Sequence, residues 1–183
     1  MVNEHLIRKF VVEVSDPTEE TIESEACAKI TEAGSWRAVV NSHLFKSHPL
    51  PVSIRAFDVY WIVAGHRIRE QVAADRLLAR FLRKTLPPYL GGQLTLFRGE
   101  NLDRLNDGRI GFAWTPKYEV AEMFAAGLNA CGSGGAVLTA TLDASAIICG
   151  PNAHSEHLGE GQFTADPFRV TDARIVGTFP TSK

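Results

Sequence analysis

Pro87-Pro88 followed closely by Gly91-Gly92 divides this chain into halves that cannot share one kind of secondary structure. A proline has no backbone N–H to donate, so a helix arriving from the N-terminal side stops there. Before this point apolar residues recur at helical spacing; after it they form short period-two runs separated by glycine turns. The pattern predicts an α+β protein, with a mainly helical region over 1–91 and a β-rich region over 92–183 that together make one compact unit. A chain of 183 residues is long enough to bury a substantial core.

Within the first region, residues 6–14 alternate like a strand, although Leu6, Phe10 and Val14 also fit a helical stripe. Asp16-Pro17 and the acidic turn Thr18-Glu19-Glu20 predict a helix running to about Glu32 and ending before Gly34. The stretch 46–51 is a loop. Between Gly65 and Pro87 the apolar residues Ile68 and Val72, then Ala74, Leu78 and Leu82, recur at four-residue spacing and predict one long helix. Its Arg67, Arg80, Arg83 and Lys84 form a solvated face.

In the second region 94–98 reads as a strand and 111–115 as another. Thr115 then stands where an N-cap belongs and Pro116 at the first helical position. Val120, Met123, Phe124 and Leu128 supply the apolar stripe of a helix over 116–128. The glycine-rich run 131–135 is a turn, 136–142 a strand, and 147–149, 162–166 and 168–179 the remaining β-segments.

Composition narrows the function. A net charge of -2 gives no global field for a phosphate backbone, so nucleic acid is not an expected partner. With 45% hydrophobic and 22% charged residues the chain is a folding globular protein, and its charged first ten residues resemble neither a signal peptide nor a membrane span. Cys27, Cys131 and Cys149 are too few and too widely spaced for a disulfide framework. A cytoplasmic protein is expected. Cys149, His154, Glu156 and His157 lack paired metal-ligand spacing, so no metal is expected, and Cys131 reads as a plain thiol.

Arg98 lies on the strand face of Leu94 and Leu96, the face that points inward. A guanidinium there must find an anion, since a buried unpaired charge is very costly. That anion is either an acidic residue of the same domain or a ligand. Gly99 beside it allows another group to approach the backbone closely.

The ordered runs Leu94-Thr95-Leu96-Phe97-Arg98-Gly99, Gly111-Phe112-Ala113-Trp114-Thr115, Val120-Ala121-Glu122-Met123-Phe124-Ala125 and Glu160-Gly161-Gln162-Phe163 resemble the ADP-ribosyltransferase family. The class is the one with an arginine, a serine/threonine strand and a glutamate-x-glutamate segment, and the similarity covers the C-terminal half only. It implies a split β-sandwich on which the helical half packs, with NAD, as substrate, in the cleft between two small sheets. Arg98, with Gly99, would then bind the phosphates through bidentate charge-assisted contacts. Thr115 either caps the following helix or supports the catalytic acid, the cap being the favoured role. Trp114 either fills the core, which its strand face favours, or stacks on the nicotinamide.

Glu160 and Gln162 are two apart, so an extended segment would direct both to one side. The family's catalytic carboxylate, which stabilises positive charge on the ribose as the nicotinamide bond breaks, falls at Gln162, and Ala113 replaces a motif hydroxyl. Glu160 takes over as the acid if the segment shifts by two, with Leu158 then at the acceptor-orienting position. The resemblance therefore implies transfer of ADP-ribose to an unidentified acceptor, a protein among the candidates, or hydrolysis of NAD. The alternative is a catalytically inactive domain of the same fold that acts as a binding or interaction module.

Overall fold

The computed structural model describes residues 25–42 and 55–181. The segment 6–14, the helix start near Pro17 and the loop 46–51 lie outside the described residues. The chain divides into two compact units, Met1–Pro88 and Tyr89–Lys183.

The described part of the first unit contains α1 (Glu25–Glu32), α2 (Trp36–Asn41), α3 (Arg55–Val72) and α4 (Asp75–Thr85). Its core is aromatic: the ring of Phe57 lies 5.8 Å from Trp36 and 5.5 Å, edge on, from Phe81. The Thr31 hydroxyl accepts from Trp36 Nε1 at 2.8 Å and bonds the Tyr60 hydroxyl at 2.7 Å, so both polar ring ends find a partner. The single helix expected up to Pro87 is two helices, broken at Ala73, whose φ is 48°. Spacing explains the break. On one continuous helix Val72 and Ala74 would lie about 200° apart, and the two apolar stripes would face different sides. The left-handed turn brings Ile68, Val72, Leu78 and Leu82 all to 0% exposure. Arg69 closes the corner by donating from Nε to Asp75 at 2.8 Å.

The second unit holds β1 (Leu94–Asn101), α5 (Leu102–Asn106), β2 (Ala113–Trp114), α6 (Tyr118–Ala126), β3 (Gly135–Leu142), β4 (Ile147–Cys149), α7 (Ala153–His157), β5 (Phe163–Ala165) and β6 (Arg174–Phe179). The strands form two small antiparallel sheets, ordered β1-β3-β6 and β2-β5-β4. An isolated bridge joins them, with Phe97 N donating to Thr115 O at 2.7 Å and Thr115 N to Phe97 O at 2.9 Å. Leu96, Leu138 and Leu142 from the first sheet and Trp114, Ile147 and Phe163 from the second share one buried cluster. Among the described residues no helix is long and apolar enough to cross a membrane.

Helix α6 lies against the opposite face of the first sheet, and its buried side chains are Ala121 and Ala125 rather than the expected stripe. Met123 is 58% and Leu128 82% exposed, and the helix begins at Tyr118, not Pro116. The physical reason is backbone proximity. A Cβ on Gly99 would meet Ala121 O at 2.4 Å, and one on Gly135 would meet Ala125 O at 1.9 Å. Only alanines on the helix and glycines on the strands permit so close a crossing. Gly135→Ala is expected to destabilise the protein by on the order of 1–3 kcal/mol, because a backbone carbonyl cannot step aside as a side chain can. Urea unfolding of the variant beside wild type measures this; an unchanged midpoint would contradict the packing described.

Candidate functional site

Arg98 and Glu100 share the inward face of β1, two residues apart, and they meet there. Arg98 Nε donates to Glu100 Oε2 at 2.8 Å, and Nη1 donates to the Ala113 carbonyl at 2.7 Å, across the junction between the two sheets. A Cβ on Gly111 would lie 1.9 Å from Nη2, so the guanidinium is packed against that glycine. The Arg98 side chain is 11% exposed and that of Glu100 0%.

Glu100 gathers further donors. Its Oε2 accepts from Gly111 N at 2.7 Å and its Oε1 from Asn101 N at 3.1 Å, with Arg104 Nε 3.7 Å away. Burial pushes the carboxyl's pKa up, but the charge and hydrogen bond of Arg98, then Arg104 and the Asn101 N–H, outweigh it and hold the group below its ordinary range. The anion that Arg98 required is thus a residue of its own strand. Nε and Nη1 of Arg98, to which the resemblance gives the phosphates, thus serve the protein.

Two other residues of the implied ligand set meet protein neighbours, Trp114 in the core role that its strand face favours. Gly99 allows a close approach, but the approaching group is helix α6. Trp114 is 1% exposed within the core and donates from Nε1 to Gly111 O at 3.2 Å, which leaves no face for a nicotinamide ring.

Thr115 does not cap α6, since Lys117 stands at that position. Its hydroxyl accepts from Lys117 N at 3.1 Å and donates to the Glu160 carbonyl at 2.7 Å. One hydroxyl therefore fastens the 159–161 turn to the end of β2. Lys117 Nζ adds a bond of 2.7 Å to Gly159 O.

Glu160 and Gln162 are not the extended pair expected from their spacing. Gly161 between them has φ 53°, and Ser155 O accepts from both Glu160 N and Gly161 N, wrapping the segment around the end of α7. Strand β5 starts only at Phe163. Burial raises the pKa of the Glu160 carboxyl, with the charge of His154 acting in the opposite direction. Thr115 and Glu160 are brought together next to the strand that carries Arg98. Gln162 is half-buried beside the same turn.

Against a dinucleotide the fit is divided. Glu160 offers a carboxylate and Gln162 an acceptor for ribose hydroxyls, whereas the arginine expected for the phosphates is engaged elsewhere. Among the described residues no group of three or more His, Cys, Asp or Glu is placed to hold a metal ion. Comparison of the chain with family models, with curated proteins and with solved structures gave no match.

Glu100 and Asn101 were not singled out by sequence reasoning; the period of two that puts Glu100 on the same strand face as Arg98 is the signal that could have found it. Asn101 Nδ2 donates to Cys131 O at 2.8 Å and to Asn129 O at 3.1 Å, holding the 129–134 loop against the end of β1. Replacing Glu100 by Gln is expected to cost about 3–5 kcal/mol at neutral pH, since it leaves the Arg98 charge buried and unpaired. Because the folded-state pKa is depressed, wild type holds this advantage above the ordinary glutamate value near 4.5 and loses it as pH falls through the folded value. Denaturant melts of both proteins from pH 7 to pH 3 test it, and a constant difference would refute the charge-based account.

Proposed function

We propose that the unit Tyr89–Lys183 is an ADP-ribosyltransferase-like domain that binds NAD in the cleft between its two sheets, read as a split β-sandwich. In this reading it breaks the nicotinamide–ribose bond with Glu160 as its carboxylate, passing ADP-ribose to an acceptor or to water. The observation that carries the reading is the hydrogen bond from the Thr115 hydroxyl to the Glu160 backbone carbonyl, beside the Phe97–Thr115 bridge, which unites segments far apart in sequence in the order the resemblance implies. Glu160 supplies the negative charge that Gln162 lacks, and that charge offsets the cation developing on the ribose. Arg98 in this reading braces the cleft wall through Ala113 O rather than gripping phosphate.

A second reading has its own support. The engagement of Arg98 by Glu100, with Ala113 and Gln162 in place of catalytic residue types, favours a domain of the same fold that binds without turnover.

The two separate on nicotinamide release from NAD, measured beside NAD binding by calorimetry. For the enzyme, wild type is expected to release nicotinamide and Glu160→Gln to lose about a hundredfold or more in rate, the size of one preorganised electrostatic partner. Gln162→Glu, which adds a carboxylate at the family position, is expected to raise the rate. Since Glu160 must be ionised, and burial raises its pKa, the rate should fall on the acid side at a pH above the ordinary glutamate value near 4.5. NAD binding with no release under any condition selects the binding module, and no NAD binding at all overturns both readings.

A further inference from the structure

With Arg98 held by Glu100 and Ala113, a dinucleotide in this cleft needs another cation for its phosphates. Lys117 is placed to be that cation. Its backbone N–H is bound to the Thr115 hydroxyl and its ammonium to the Gly159 carbonyl, so both ends of the residue are anchored to the two segments that frame Glu160. The stem runs along the turn, with Cε 3.8 Å from where a Cβ on Gly161 would stand. An ammonium has three donors, and the Gly159 bond uses one, leaving two for oxygens of a ligand. The Glu156 carboxylate lies across the same turn, and among the described residues no ion pair joins it to Lys117.

We propose that Lys117 is the phosphate-binding residue of the cleft, its ammonium gripping the pyrophosphate of the dinucleotide from the 159–161 turn beside Glu160. The inference rests on the NAD reading and adds to it the residue that recognises the anionic part of the ligand. A lysine suits the position as a point charge on a flexible stem, able to follow the phosphates without the planar fork of an arginine. It also explains how the cleft can keep Arg98 as a structural brace and still favour a charged substrate.

The test is calorimetric titration of the full chain with NAD and with ADP-ribose, for wild type, Lys117→Met and Lys117→Arg, at low and high NaCl. Methionine keeps most of the stem and removes the charge. The expected result is about tenfold weaker binding of both ligands by Lys117→Met, substantial recovery in Lys117→Arg, and a salt dependence that is steep in wild type and shallower in the methionine variant. Melting temperatures are recorded for all three. Wild-type affinity in Lys117→Met overturns the proposal while leaving the NAD reading standing. Weaker binding with an unchanged salt dependence and a lowered melting temperature overturns it too, because that is the signature of a loosened turn. Wild type that binds neither NAD nor ADP-ribose overturns this assignment together with the reading it rests on.

Discussion

The buried carboxylate of Glu100 is the fixed point of the second unit. Arg98 Nε, Gly111 N and Asn101 N all donate to it, and through Arg98 Nη1 the same group reaches the carbonyl of Ala113 in the other sheet. A carboxylate at zero exposure is tolerable only when donors replace the water it has lost, so each of them is constrained in turn. Gly111 must lack a side chain, the segment before β2 must present its N–H inward, and the end of β1 must stay extended. The meeting of the two sheets at Phe97 and Thr115 follows from these constraints.

A second constraint acts on the other face of the first sheet. Helix α6 crosses β1 and β3 at backbone contact over Gly99 and Gly135, with Ala121 and Ala125 as its buried side chains. Such a crossing turns the larger residues of the helix outward and sets where the chain enters it from β2. Lys117, at the N-cap, and Thr115, two residues earlier, are therefore positioned from two sides, by the helix and by the sheet junction. The 159–161 turn is then fastened to this point by the Thr115 hydroxyl and the Lys117 ammonium. The candidate site is the place where these structural demands converge, which is why its residues carry so many backbone bonds.

Much of the fold was legible in the sequence because it depends on local preference and period. The proline–glycine boundary, the strands near 94–98 and 136–142, and the inward parity of Leu96 and Arg98 all follow from properties of neighbouring residues. The requirement that Arg98 meet an anion was equally legible. The break at Ala73 was written in the two-residue step between the stripes ending at Val72 and beginning at Ala74, yet each stripe alone satisfies a helix. The apolar stripe assigned to α6 misled because period reports amphipathicity and not the distance at which a helix packs. At very short range alanine replaces the large residues that a stripe is expected to contain.

What the sequence determined by itself, then, is the division into a helical and a β-rich region and the chemical needs of single residues, since both arise from one stretch of chain. Only the tertiary structure decided how those needs are met. That Arg98 finds Glu100 rather than a ligand depends on Gly111 and Ala113 arriving from another strand. That Thr115 bonds Glu160 instead of capping a helix depends on where α6 can start once Gly99 and Gly135 draw it down. That Glu160 and Gln162 do not form an extended pair depends on Gly161 adopting the left-handed conformation at the end of α7. Each outcome is a competition for one donor or acceptor among segments distant in sequence, and such a competition is resolved by distance in space.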